Sequence, residues 1–364
     1  MGQITLTDEQ AGAVTAIKDW FNSIESNYKT TFVLGGYAGT GKTTLVNFIV
    51  DDLKLEEHDI RYVAYTGKAA MVLRKKGLPA TTIHGLIYRP RIDDQGKVTF
   101  CRRSFVELEK VKLIICDESS MVSGTIKYDL ESYGIPVLYI GDHFQLPPVS
   151  KDQANLMLNP DYRLETIHRQ AMDNPIIRLA HSIRIGEDIG YGRHGDTCFV
   201  IPWFRVADEF LLSADQVICG FNNTRRKLNE EIRGLLGFKG DLPAPGDKLI
   251  CLKNNNEMGL VNGMLGTCVN YDSIGRYLDF TNDSGVTYEC LDIDDQVFLG
   301  GSVYYQRGIE QFDFGYALTC HKFQGSEAPK IMVFEELFGN DEEMHRRWKY
   351  TAYTRASEKL MIVK

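Results

Sequence analysis

Residues 31–44 read TFVLGGYAGTGKTT, an apolar run that gives way to glycines and closes on a lysine and two threonines. Gly36 to Thr43 fits G-x-x-x-x-G-K-[ST] at every fixed position. The stretch follows an expected strand (31–34) and opens an expected helix (45–53) with Leu45, Phe48, Ile49 and Leu53 on one face. In that context glycines let the backbone N–H groups of Gly36, Ala38, Gly39, Thr40 and Gly41 converge on phosphate oxygens, and the helix N-terminus adds partial positive charge. Lys42 would reach the β- and γ-phosphates, and the hydroxyl of Thr43, next to Thr44, would ligate Mg2+. The segment implies an α/β protein of the P-loop NTPase kind.

Outward from this turn, apolar runs at 61–65, 113–116 and 137–140 are strands of the sort a sheet buried on both faces requires. Alternating with helices, they predict a parallel, doubly wound sheet. The run VKLIICDE ends at Asp117, placed to hold the hydration shell of Mg2+, and Glu118, placed to orient and deprotonate an attacking water. After the next strand, GDHFQLPP (141–148) carries Gln145, which can sense the γ-phosphate. On the N-terminal side a helix is expected over 7–21, from Gln10, Val14, Ile17 and Phe21 at spacings of 4, 3 and 4. Thr7-x-x-Gln10 also fits a capping box.

Other segments break the rhythm. YRPRIDDQGKVTFCRR, between Ile87 and Arg103, predicts a β-hairpin inserted in the α/β domain. A second α/β unit is expected from residue 151. It includes a helix opened by Asn174 and Pro175 and strands at 217–221, 330–334 and 359–363. Short alternating strands at 248–252, 266–271, 277–280 and 286–291 predict a small all-β insert. The expected division is thus 1–150, then 151–240 with 313–364, with 241–312 as the insert.

The 364 residues suit two or three domains. Net charge is −8, so any nucleic-acid binding must use a local groove rather than a global basic field. Basic clusters at 74–76, 102–103, 225–227 and 346–347 are most simply solvated faces, one or two of which can edge a groove. The eight cysteines form no C-x-x-C pair, which argues against zinc and dithiol chemistry and for a reducing, cytoplasmic setting. The first residues do not read as a signal peptide, and no apolar stretch approaches 18 residues, so no membrane association is expected.

Taken in order, TDEQ, GYAGTGKTT, YTGKAA, TTIHG, DESS, GDHFQLPP, LETIHRQ, LTCHKFQGSE and YTAYTRASEKL resemble the motif set of the superfamily 1 helicases of the RecD and Dda type. They run from residue 7 to residue 360. The resemblance implies two RecA-like domains, a strand-separating hairpin pin at 87–103 and a small Src-homology-3-like β-barrel at 241–312. It further implies Mg2+-dependent ATP hydrolysis and movement along single-stranded DNA, 5′ to 3′, at a fork. With both halves of the site in one chain, a monomer is the expected state.

Residue by residue, the resemblance makes Gln10 an adenine reader. It makes Arg169 and Arg355 arginines that enter from the second domain, where Gln324 and Gly325 also line the ATP site. It implies single-strand contacts by Thr66, Gly67, Lys68, Thr82 and His84 on the first domain and by Thr319, His321 and Lys322 on the second. Small hydroxyls, backbone amides and a lysine suit phosphate tracking without sequence readout. The expected pin tip, Asp93 to Gly96, is acidic and lacks an aromatic wedge, although Tyr88 and Phe100 stand at its base. Two other readings share these residues: a translocase that does not separate strands, and a non-catalytic nucleic-acid-binding module.

Overall fold

The structure, a computed structural model, describes residues 6–92, 98–147, 152, 154–255, 258–301, 306, 308–338 and 341–364. The chain divides into two compact units, residues 1–89 with 100–184, and residues 90–99 with 185–364.

In the first unit the elements run α1 (Asp8–Asn27), β1 (Thr31–Gly36), α2 (Lys42–Leu53), β2 (Ile60–Ala64), α3 (Gly67–Lys75), β3 (Ala80–Thr82) and α4 (Ile83–Ile87). A two-stranded ribbon, β4 (Tyr88–Ile92) and β5 (Val98–Arg102), follows in sequence, its residues 90–99 counted with the second unit. Then come β6 (Leu113–Asp117), α5 (Gly124–Glu131), β7 (Val137–Gly141), β8 (Tyr162–Leu164), α6 (Arg169–Met172) and α7 (Pro175–Arg184). The main sheet has the order β3-β2-β6-β7-β1-β8 and is parallel throughout.

Its strands are apolar on both faces because each face carries its own core. Leu113 and Ile115 of β6 pack with Leu34, Leu45, Ile49, Ile17 and Trp20 on one side. Ile114 and Cys116 pack with Val33, Ile126, Leu130 and Tyr139 on the other. The two-stranded β4–β5 ribbon lies in the segment where the hairpin is expected; the expected tip, Asp93 to Gly96, lies outside the described residues.

The expected boundary at residue 150 is corrected: the first unit continues to Arg184. The reason is β8, which adds to the sheet edge with Leu34 opposite Tyr162 and Gly36 opposite Leu164. Asp161 accepts from the Val33 N–H at 2.8 Å, and the Tyr162 hydroxyl donates to Glu9 O at 3.1 Å. The helix opened by Asn174 forms as α7, with Asn174 Oδ1 accepting from Ile176 N at 2.9 Å, but in this unit.

In the second unit the elements are β9 (Gly192–His194), β10 (Cys198–Ile201), α8 (Asp208–Ser213), β11 (Gln216–Cys219), α9 (Asn222–Leu235), β12 (Lys248–Cys251), β13 (Leu265–Asp272), β14 (Tyr277–Asn282) and β15 (Thr287–Asp292). They continue with β16 (Phe312–Phe314), β17 (Ala317–Thr319), α10 (Cys320–Phe323), β18 (Ala328–Phe334), α11 (Glu342–Tyr353) and β19 (Ala356–Val363). The α/β sheet has the order β17-β11-β18-β19-β10-β9, parallel except for the β9 edge.

The all-β insert is a five-stranded antiparallel sheet, β15-β14-β13-β12-β16, around Phe280, Leu278, Leu249 and Phe312. Its last strand carries the insert just past the expected limit at residue 312. A wholly buried ion pair fastens it to α9: the Arg233 guanidinium donates twice to Asp247 at 2.9 Å, and the Tyr316 hydroxyl donates to the same carboxylate. All eight cysteines are free; six are buried, Cys101 is half-buried and Cys290 is exposed. No helix among the described residues is long and apolar enough to cross a membrane.

Candidate nucleotide and nucleic-acid sites

The turn between β1 and α2 is a wrapped loop. Gly39 (φ 81°) and Gly41 (φ 79°) stand in the left-handed region that side chains with a Cβ rarely adopt. The Lys42 ammonium lies inside the loop, donating to the carbonyls of Gly36 at 2.6 Å and Tyr37 at 2.8 Å. Thr40 is buried and donates to the Tyr37 carbonyl at 2.9 Å. No side chain caps α2. Thr43 is half-buried in its first turn and Thr44 is exposed.

Asp117 ends β6, at the same edge of the parallel sheet as the loop after β1. Its carboxylate accepts from the Glu118 N–H at 2.9 Å. Burial pushes its pKa up, while that hydrogen bond and the Lys42 charge pull it down. Glu118 follows with φ 51°, a left-handed conformation unusual for a side-chain-bearing residue. Ser119 Oγ ties this turn to β7 through Ile140 O at 2.7 Å. Gln145 is buried, its N–H donating to Asp142 O at 3.3 Å.

The segment after β8 braces the loop. His168 N donates to Gly39 O at 3.2 Å. A methyl group added at Gly39 would meet Ala171 and Ile167 at 3.0 and 3.1 Å. Arg169 therefore belongs to the unit that holds the P-loop, which corrects its expected entry from the second domain; its side chain lies outside the described part.

Gln10 reaches the loop from α1, and its capping box is formed. Its amide oxygen accepts from Thr7 N at 3.1 Å. Its nitrogen donates to Thr40 O at 3.1 Å and meets His168 Nε2 at 2.7 Å. Because the two backbone partners fix which end of the amide is the donor, His168 Nε2 must carry the lone pair. The Arg184 guanidinium lies 3.8 Å over the Tyr37 ring, and that ring is 4.2 Å from His143.

Three threonines expected to touch a nucleic-acid strand share one local role, since each is the N-cap of the helix after a strand. Thr66 accepts from Ala69 N at 3.2 Å, Thr82 from Gly85 N at 3.0 Å and Thr319 from Lys322 N at 3.3 Å. Capping uses an acceptor lone pair and leaves the O–H free to donate. Gly67 is buried, Lys68 half-buried and His84 exposed, its ring 5.4 Å from Tyr88.

In the second unit Thr319, His321 and Lys322 line a cavity of about 470 Å3 with Asn222, Arg225, Arg226, Asp313 and apolar Ile250, Leu252, Val297 and Leu318. Burial lowers the pKa of His321, which favours the neutral ring. Gln324 and Gly325 (φ 70°) follow, both buried. Arg355 is buried too, donating to the carbonyls of Thr351 at 3.1 Å and Ser326 at 3.4 Å. Among the described residues no carboxylate pairs with it, so it is not a surface ion pair. Phe323 is buried in the same short helix.

The AAA domain family matches residues 5–197, more than half of the chain, and the UvrD-like helicase C-terminal domain family matches residues 314–363. The chain belongs to the superfamily 1 helicase family of the RecD/Dda/Pif1 type. It is 29% identical over 359 residues to the ATP-dependent RecD2 DNA helicase of Deinococcus radiodurans, covering 90% of this chain and 46% of that protein. It is 28% identical over 254 residues to the ATP-dependent DNA helicase dda of Enterobacteria phage T4, covering 63% and 58%. The chain thus spans about half the length of these curated relatives. Among solved structures, Bacteroides Pif1 bound to ssDNA shares the fold with a TM-score of 0.59 at 20% identity, over 99% of this chain and 92% of that one.

Within this family frame, sequence reading missed His168, Tyr37 and Arg184 around the P-loop and Asn222, Arg225 and Arg226 beside the HKFQ motif. The arginines were visible as a basic cluster, but Arg225 is not a solvated face. It pairs with Asp313 at 2.6 Å, and both side chains are largely buried.

Proposed function

We propose that this chain is an ATP-dependent DNA helicase that moves along single-stranded DNA, 5′ to 3′, and separates strands at a fork. The observation that carries the reading is the convergence of a wrapped P-loop with Lys42 at its centre and a strand-end Asp117–Glu118 pair on one edge of a parallel sheet. Lys42 leaves the Gly36 and Tyr37 carbonyls to hold the β- and γ-phosphates of ATP. Thr43 and Asp117, a hydroxyl and a carboxylate, are the hard oxygen donors that suit Mg2+ alongside phosphate oxygens. Among the described residues no group of three or more His, Cys, Asp or Glu would cage a metal alone. Glu118 takes the proton of the attacking water, and Gln145 senses the γ-phosphate.

Gln10 reads adenine once it exchanges its Thr40 and His168 partners for the base edge. Arg169 acts from the P-loop's own unit, and Arg355, with Gln324 and Gly325, from the second RecA-like unit. A guanidinium that meets the γ-phosphoryl group in the transition state accelerates transfer. Thr66, Gly67, Lys68, Thr82 and His84 hold the strand on one unit, and Thr319, His321 and Lys322 on the other. Differential grip between nucleotide states would make each cycle a step. The antiparallel insert serves as the Src-homology-3-like barrel and the β4–β5 ribbon as the pin. With all of these parts in one chain a monomer suffices, and eight free thiols suit a reducing cytoplasm. A translocase that leaves duplexes intact is the second reading, favoured by the acidic tip sequence Asp93–Asp94.

The test is ATP-dependent unwinding of matched duplexes carrying either a 5′ or a 3′ single-stranded tail. Release from the 5′-tailed duplex alone is expected. Release from the 3′ tail would overturn the polarity, and DNA-stimulated ATP turnover without release would favour the translocase.

A further inference from the structure

We infer that Phe221 and Phe338 form a base-stacking ledge on the second unit, so that this chain grips single-stranded DNA by its bases as well as its phosphates. The inference rests on the single-strand reading proposed above and adds a mode of recognition to it. Phosphate-tracking residues alone give no reason for a large aromatic ring to stand in solvent beside the track.

Phe221 is 46% exposed although it begins α9 and its backbone is firmly held. Its N–H donates to the Glu336 carboxylate at 3.1 Å, alongside that of Gly220 at 2.5 Å. The ring lies 5.8 Å from that of Phe338 at 33°, and Phe338 is in turn 5.2 Å from His321. Behind it, Phe338 stacks at 6.2 Å and 23° on Trp348, which is wholly buried. The ledge is therefore a row of rings anchored in the core at one end and open to solvent at the other. Immobilising an aromatic face in advance removes the ordering cost that a flexible side chain would bring to the contact.

The ledge adjoins the cavity through two residues, Asn222, the chain neighbour of Phe221, and His321, the ring neighbour of Phe338. At about 470 Å3 the cavity has the scale of a small-ligand site, and its lining mixes apolar with polar and basic side chains. Its cations are not equally available. Arg225 is paired with Asp313, and Lys322 donates to Asn262 Oδ1 at 2.5 Å. Arg226 is exposed and has no ion pair among the described residues, so it is the cation best placed for a strand phosphate.

At the cavity, Arg226 alone among the described lining residues is a cation without an ion pair or hydrogen bond, and on a chain of net charge −8 it draws a polyanion weakly. Stacking does not depend on net charge and accepts every base, which suits a motor indifferent to sequence.

The test compares binding of an oligothymidylate with a same-length strand of abasic residues, by fluorescence anisotropy at several salt concentrations. The wild-type chain should prefer the base-bearing strand by about tenfold. Phe221→Ala should bring the two affinities together, whereas Phe221→Tyr, which keeps the ring, should preserve the preference. Arg226→Ala should weaken both strands alike and reduce the salt slope by about 0.7. Equal wild-type affinity for the two strands, or a preference that survives Phe221→Ala, would overturn the ledge while leaving single-strand binding standing. Wild-type binding to neither strand would overturn the single-strand reading, and the ledge with it.

Discussion

Two helices of this chain begin in the same way and end their first turns differently. Both α2 and α9 are the helix that next follows a strand inside a parallel sheet, so the orphan amides of each lie toward the strand's C-terminal end. At α9 the protein supplies the anion itself. The Glu336 carboxylate, just past β18, accepts from the amides of Gly220 and Phe221 and from the Thr224 hydroxyl at 2.5 Å. At α2 no side chain caps the helix, and Gly41 and Gly39 hold backbone that other residues would strain. The contrast shows that a helix N-terminus calls for negative charge in either place. What separates a structural joint from a candidate phosphate site is whether the fold reaches back with a carboxylate.

The comparison can be broken most severely at the lysine. Lys42→Ala should lower ATP turnover by about 10³-fold or more, read as phosphate release, because it removes the ammonium that lies inside the loop against the Gly36 and Tyr37 carbonyls. Persistent turnover would place hydrolysis elsewhere. Next comes the second unit's own contribution. Arg355→Ala should cut kcat by about 10³-fold with KM changed only a few-fold, and Arg355→Lys should restore little. An equal change in both constants would mark Arg355 as structural.

Gly41→Ala sharpens the contrast at α2. Its Cβ would lie 2.6 Å from Gln10 Nε2 and 3.1 Å from His168 Nε2, at a φ of 79°. A strain of about 1–2 kcal/mol should weaken equilibrium ATP binding by about tenfold; unchanged affinity would detach Gln10 and His168 from the nucleotide. The smallest effect is expected at α9. Glu336→Gln should cost about 1–2 kcal/mol and lower Tm by about 3–6 °C, since a neutral amide accepts these hydrogen bonds less strongly. An unshifted melting curve would mean that α9 does not need its carboxylate.

The central strands were legible because burial on both faces leaves no room for polar residues: β1, β6 and β7 are apolar runs ending in the motifs that name the site. The edge strand β8 was not. Tyr-Arg-Leu is three residues long with Arg163 pointing to solvent, so it has neither length nor period, and its pairing with β1 is a contact across more than a hundred residues. Missing it set the boundary at residue 150, while the entry of Arg169 from the second domain was carried by the family resemblance alone. The capping box at Thr7 and Gln10 is local and was readable, whereas the meeting of Gln10 with His168 was not. Arg225 shows the same limit: its partner Asp313 stands 88 residues later, on a strand that only the folded insert brings near.

The thiols have a practical consequence for watching this molecule move. Burial pushes Cys219, Cys251, Cys268 and Cys320 up to about 12, which keeps them protonated and unreactive near neutrality. Cys290 stands in solvent on β15, with only Cys101 partly accessible beside it in reactivity. A maleimide dye added to the unaltered chain would therefore settle first on the antiparallel insert, and replacing Cys101 with serine would make that fluorophore a single-site reporter.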